Sequence, residues 1–144
     1  MRSRNYFFGK RKIAPCIACE ACLRNGGTCV QEDDMAGILD KLVYADVIVL
    51  STPVYYYSVS AQLKVMIDRS LAGGKRLMNK EFYLIATAAD GKQAMETTMN
   101  DMLGYVRCLS GSSVKGRVYG SAFGIGEIKG KDAVEEAYRL GCGC

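Results

Sequence analysis

Short apolar runs rich in β-branched residues alternate along this chain with stretches of helical spacing, and that alternation leaves few folds open. Asp46-Val-Ile-Val-Leu-Ser51 is continuous and apolar, as expected of a strand buried on both faces of a parallel sheet. Glu81–Ala88, centred on Phe82-Tyr-Leu-Ile-Ala86, predicts a second such strand, and Val114–Tyr119 a third. Met35, Ile38, Leu39, Leu42 and Val43 have helical spacing behind an acidic cap at Asp33-Asp34. A helix capped by Ser60 runs from Ala61 to about Leu71 and stops at Ala72-Gly73-Gly74. Met95, Met99, Met102, Leu103 and Val106 mark a further helix ending near Gly111, and Asp132–Leu140 a last one stopped by Gly141. The order predicts an α/β fold: a doubly wound parallel sheet in three α/β/α layers. Ligands of such sheets sit at the carboxyl ends of the strands. Those segments here are 52–59, 87–91 and 120–130.

The chain has 144 residues, 49% of them hydrophobic, which is enough for one domain with its own core. The expected division is a single domain over 1–144, with a basic head at 1–11 and a cysteine-rich loop at 12–30. Histidine is absent, which excludes Ser-His-Asp and Cys-His catalysis and every histidine-ligated metal site. The net charge of +4 is a local effect. Arg2, Arg4, Lys10, Arg11 and Lys12 meet no acid in the first twelve residues, and the remainder is close to neutral. Nucleic-acid binding is therefore not expected. No apolar run has the roughly 18 residues of a membrane span, and Tyr6-Phe7-Phe8 is too short for a signal peptide. Seven cysteines without a secretory signal argue against a disulfide framework and for a cytoplasmic location.

Cys16-x2-Cys19-x2-Cys22-x6-Cys29 is the most specific pattern present. Repeated two-residue spacers turn the backbone so that three thiolates converge, and Gly26-Gly27 gives the slack that brings in the fourth. Soft thiolates at this pitch suit a [4Fe–4S] cluster. Zinc and a metal-free reduced loop are the alternatives. The second candidate is Thr52-Pro53-Val54-Tyr55-Tyr56-Tyr57-Ser58, where tyrosine rings can cover a flat heteroaromatic ligand or else pack as core or interface. Thr87-Ala88-Ala89-Asp90 supplies small residues for close approach at the next strand end. Gly124-x-Gly126-x3-Gly130 has the wrong spacing and place for a dinucleotide fingerprint and reads as a flexible connection. Cys108 reads as a buried small residue, and Cys142 and Cys144 as part of a disordered end.

Lys12-Ile-Ala-Pro-Cys-Ile-Ala-Cys-Glu-Ala-Cys22, Cys29-Val-Gln-Glu-Asp-Asp-Met35, Ala45-Asp-Val-Ile-Val-Leu-Ser-Thr-Pro-Val-Tyr55 and Ser60-Ala-Gln-Leu-Lys-x3-Asp-Arg69 together resemble the NADPH-dependent FMN reductase family, and within it the iron–sulfur flavoproteins of flavodoxin-like fold. The likeness runs from about Lys12 to Gly141. It implies five parallel strands in the order 2-1-3-4-5, with FMN at the switch point. The loop matching Thr52–Ser58 then lies against the isoalloxazine ring, and Thr87–Asp90 along its other edge. The four cysteines hold a [4Fe–4S] cluster, and NAD(P)H is a possible electron donor. The implied activity is that of an FMN-dependent oxidoreductase or electron-transfer flavoprotein, with no side chain acting as catalytic acid or base. A small-molecule or ferredoxin-like redox partner and a homodimer or tetramer are implied as well. The alternatives are a cluster-free flavin or quinone reductase and a noncatalytic zinc or thiol interaction module. The family begins with a strand, a phosphate-cradling loop and a helix. Nothing before Lys12 matches these, although Tyr6–Phe8 fits the tail of the family's second strand. The expectation is a chain shortened at its N-terminus, with weakened FMN binding.

Overall fold

The computed structural model of the chain describes Asn5 and residues 8–143. Tyr6 and Phe7 of the expected strand tail lie outside these residues, and Phe8 begins a single 3-10 turn, Phe8–Lys10. Helix α1 (Ala21–Arg24) is one turn inside the cysteine loop. It is followed by α2 (Met35–Tyr44), β1 (Val47–Tyr55), β2 (Ser58–Val59) and α3 (Ala61–Arg69). A 3-10 segment (Ser70–Leu77) leads into β3 (Glu81–Ala88), α4 (Lys92–Arg107), β4 (Ser113–Ser121) and α5 (Asp132–Cys142).

Among the described residues the strands form one sheet in the order β2-β1-β3-β4. β1, β3 and β4 are parallel, with Val47 opposite Glu81 and Pro53 opposite Thr87. These are the last three strands of the expected five, in the expected order. β1 runs four residues further than the apolar run predicted. Val54 and Tyr55 pair antiparallel with Val59 and Ser58, so the expected loop over 52–59 is largely a tight hairpin. Pro53 is the last residue of β1 paired with β3, next to the start of the pairing with β2. The α-helical part of α3 ends at Arg69, close to the expected end at Leu71, and the 3-10 segment after it is broken at Gly74 (φ 49°, ψ −136°), within the expected stop; α5 passes through Gly141 to Cys142.

One face of the sheet is a packed core. Ile48 and Leu50, Phe82, Leu84 and Ala86 lie beneath Leu39, Leu63, Met66, Met95, Met99 and Met102. Met102 and Phe82 are fully buried, and Phe82 meets Tyr105 edge-on at 6.2 Å. The other face is only partly covered. Leu140 of α5 packs so close over Gly116 that a Cβ there would lie 2.6 Å from it, and Val118 is buried. Over β1 that layer is missing among the described residues. Val49 is 57% exposed, which corrects the expectation of a strand buried on both faces. Continuous apolar sequence and one-sided burial coexist because the covering helix, not the strand, decides exposure. Cys108 is likewise exposed, at the C-terminal cap of α4, because its position falls one residue beyond the helix's last buried turn.

Phe82→Ala removes a fully buried ring from the centre of this core. It is expected to cost about 3–5 kcal/mol, read as a lower urea midpoint at unchanged slope.

Candidate functional site

The four cysteines come to one cavity, but not to within reach of a single metal ion. Cys16, Cys19, Cys22 and Cys29 line one cavity of about 360 Å³, together with Gln31, Arg69 and Ala72. Backbone geometry explains the grouping. Ala18 (φ 51°) and Glu20 (φ 55°), one in each two-residue spacer, adopt left-handed conformations that non-glycine residues seldom take. Turns of this kind form the N–H-lined concavities found at anion and iron–sulfur sites. Strain of order 1–3 kcal/mol per residue persists only where surroundings hold it. In the longer spacer Gly27 (φ +96°) passes 2.7 Å, at its Cβ position, from the Ala72 carbonyl, so only glycine fits. Asn25 and Thr28 close this spacer by reciprocal hydrogen bonds of 2.8 and 3.0 Å. No three Cys, Asp or Glu side chains among the described residues stand close enough to share one metal ion.

An ion pair fastens this loop to the body. Arg69, the last residue of α3, is 2% exposed. Its Nη1 donates to Asp33 Oδ2 (2.8 Å) and to the Ala14 carbonyl (2.6 Å). Its Nη2 donates to Asp33 Oδ1 (3.0 Å) and to the Gln31 carbonyl (3.4 Å). Asp33 in turn accepts from the backbone N–H groups of Ala14 and Met35. The expected acidic cap of α2 is thus divided. Asp33 holds the helix N–H, while Asp34 turns back to the N–H of Lys12 at 2.9 Å. Burial works to raise the Asp33 pKa, but the hydrogen bonds from Arg69, Ala14 and Met35 outweigh it and hold the carboxyl below its ordinary value. Burial likewise opposes the charge on Arg69, and the Asp33 carboxylate restores it, raising the guanidinium pKa. Arg69 and Asp33 were not singled out as site residues. The available signal was a charge three residues after Met66 on the core face of α3, which must find a buried partner.

The strand-end loops present a different surface. Tyr56 (φ 49°) and Tyr57 (φ 61°) both sit in the left-handed region, as the two central residues of a tight hairpin normally filled by Asn-Gly. Tyr55, Tyr56 and Tyr57 are all more than half exposed, so packing in this chain's core is not their role. Thr52 is buried, and its hydroxyl accepts from Ser60 N–H (3.0 Å) and donates to the Pro53 carbonyl (2.9 Å). Ser58 donates to Asp101 at 2.7 Å. Pro53 is exposed and Val54 half-buried on the same strand end. At the next strand end Thr87, Ala89 and Asp90 are exposed and Ala88 half-buried, with the Asp90 carboxylate closing the turn on Gly91 N–H. α3 joins the two regions. Ser60 caps it beside the hairpin, Arg69 ends it at the cysteine cavity, and its nine residues span about 14 Å.

The glycine-rich connection after β4 holds its own anion. Glu127 accepts from the N–H groups of Phe123 and Gly124, both at 2.8 Å, and pairs with Lys131 at 3.1 Å. These bonds, first the one from Gly124, lower its pKa to about 2. The N–H groups that a phosphate would need are therefore taken. Cys142 is exposed in the last turn of α5, an ordered position where a disordered end was expected, and Cys144 lies outside the described residues.

A parallel sheet between helices, with its candidate ligand loops at the carboxyl ends of the strands, defines an α/β protein of flavodoxin-like fold. The sequence profile of the NADPH-dependent FMN reductases matches residues 8–122, and the chain belongs to that family. It is 40% identical over 94 residues to an iron–sulfur flavoprotein of Methanocaldococcus jannaschii, covering 64% of this chain and 48% of the relative. It is 34% identical over 137 residues to an iron–sulfur flavoprotein of Archaeoglobus fulgidus, covering 91% of this chain and 59% of the relative. The chain thus spans about half to three fifths of the length of these two relatives. Among solved structures, the Trp repressor binding protein of Bacillus subtilis superposes with a TM-score of 0.67 at 26% identity, over 74% of this chain and 75% of that one. None of the described helices is long and apolar enough to cross a membrane.

Asp33→Asn leaves Arg69 buried against a neutral partner and is expected to cost about 3–5 kcal/mol at pH 7. The folded pKa of Asp33 lies below its ordinary value of 3.8. The pair therefore contributes fully above that value and loses its contribution as pH falls through the folded pKa. Urea titrations at pH 7 and pH 3 are expected to show a smaller acid-induced loss for D33N than for the wild type.

Proposed function

We propose that the chain is an FMN-dependent oxidoreductase that accepts electrons from NAD(P)H or a ferredoxin-like donor and carries a [4Fe–4S] cluster on Cys16, Cys19, Cys22 and Cys29. The observation that carries this reading is the cysteine cavity: four thiols on a loop held in left-handed turns, backed by a buried guanidinium. The donor set fits a cluster better than zinc. Zinc takes all its thiolates at about 2.3 Å from a single ion, and no three of these side chains stand close enough to share one ion, whereas a cluster takes each thiolate at a different iron. The names of the two relatives point the same way.

For FMN, the tyrosine hairpin fits the ring and nothing described fits the phosphate. Tyr55, Tyr56 and Tyr57 offer exposed ring faces at the β1 end, and the strained turn that holds them out is the kind of cost tolerated at ligand clamps. The small side chains of Ala88 and Ala89 leave the β3 end open to a flat ligand. The Thr52 hydroxyl is committed to the α3 cap, so it fixes the hairpin instead of touching the ring. When bound, FMN supplies the exchange between electron pairs and single electrons, and the cluster passes single electrons. The chain's residues hold the two groups in place, and none acts as a proton donor. A cytoplasmic homodimer or tetramer with a small-molecule or ferredoxin-like acceptor belongs to the same reading.

Anaerobic purification with iron and sulfide analysis, followed by FMN titration, tests it. About four irons and four sulfides per chain are expected, with loss of both on Cys16→Ser or Cys22→Ser. Flavin fluorescence is expected to quench on binding, and Tyr55→Ala with Tyr57→Ala to weaken that binding at least tenfold. Free FMN in the presence of this chain, and of a version carrying the family's N-terminal strand, loop and helix, overturns the flavin reading. Turnover of NAD(P)H by an iron-free chain identifies the cluster-free reductase instead.

A further inference from the structure

We propose that a second copy of this chain covers the open strip of the sheet, the two strips packing face to face about a two-fold axis. The proposal names a surface for the dimer in the reading above, and it needs neither flavin nor cluster.

The strip is apolar and has a wall on one side. On the open face β1 presents Val49 and Ser51, both exposed, and no charged residue from Val47 to Tyr55. Val49 stands opposite Tyr83 and Ser51 opposite Ile85, so these half-buried side chains of β3 share the same face. α5 forms the wall. Its Leu140 lies over Gly116, and Ala133 and Ala137 fall on that side of the helix by spacing. Val134 and Tyr138 stand about a quarter turn round from it. α5 runs back against the direction of the strands, so its right-handed winding turns this quarter toward β3 and β1. Both side chains are exposed, and no residue of α5 is buried. One side of the helix thus covers β4, while its apolar flank stands bare beside the uncovered strands.

Area and charge together favour a second copy as what fills this place. The chain exposes 9383 Å², whereas a compact monomer of 15.7 kDa exposes roughly 7,300 Å². The excess, about 2,000 Å², exceeds the roughly 800 Å² that each partner of a stable dimer buries. A two-fold interface sets one patch against itself, so any net charge on it meets its like. The strip carries none between its ends, and Glu81 at the start of β3 is paired with Lys115 at 3.0 Å. Uncharged aliphatic and aromatic side chains are what the centre of a homodimer interface holds.

Sedimentation equilibrium of the full chain tests this, with V49E, V49K and Y44E. The wild type is expected at twice 15.7 kDa. V49E and V49K are each expected to weaken the dimer at least about a hundredfold, because like charges then meet across the axis. An equimolar mixture of the two is expected to restore a dimer, which requires that the strips face each other. Y44E changes an exposed ring at the end of α2, on the other side of the sheet, and is expected to leave the dimer intact. Circular dichroism checks that each variant is folded, as expected for substitutions at exposed positions. Hydrogen exchange of the wild type stands beside the variants: β1 and α5 are expected to gain protection as the chain is concentrated. A strip reserved for another polypeptide leaves the purified chain monomeric, and that result overturns the inference together with the dimer in the reading above. A dimer that V49E and V49K leave unchanged, or a mixture that stays monomeric, overturns this inference alone.

Discussion

The ion pair between Arg69 and Asp33 is the interaction on which the site depends. It closes a ring of contacts between the end of α3, the start of α2 and the two ends of the cysteine loop. In the segment from Lys12 to Val30, Ile13, Cys22 and Cys29 pack against the core, and each is only partly buried. Cys16 and Cys19 are exposed, and Ile17, Leu23 and Val30 face solvent. A loop with so little buried apolar surface depends on polar geometry as well. Bidentate pairing supplies that geometry, and breaking one partner of a buried pair costs far more than the intact pair contributes. The loop therefore follows the body as a unit.

Left-handed backbone at ordinary residues recurs at both candidate sites. Ala18 and Glu20 turn the cysteine spacers, and Tyr56 and Tyr57 turn the hairpin. Each position holds a residue that glycine or asparagine would replace with less strain. Among the described residues the only other non-glycine residue in this conformation is Asn79, and clustering in two candidate segments is the pattern expected when strain is part of how a site is preorganised. α3 ties the two together. Its N-terminus is fixed through Ser60 and Thr52 to the hairpin, and its C-terminus is Arg69.

The sheet has one finished face and one open face. α2, α3 and α4 build a methionine-rich core on the first, and α5 covers only the β4 side of the second. The strip over β1 is uncovered among the described residues, where Val49 is exposed.

The strands, the helices, their order and the grouping of Cys16, Cys19, Cys22 and Cys29 around one cavity were legible in the sequence, because hydrophobic period and cysteine spacing are local properties of the chain. Element ends were less legible. β1 ran on through Thr52 to Tyr55 because it gained an antiparallel partner, and α5 ran through Gly141 because helix propensity alone does not stop it. The burial of Thr52, the exposure of Val49 and Cys108, and above all the joining of Arg69 to Asp33 across 36 residues were settled only by the tertiary structure. Sequence spacing records which side chains a turn or helix can bring together. Whether a face is covered, or which distant carboxylate meets a buried guanidinium, depends on how separate elements pack.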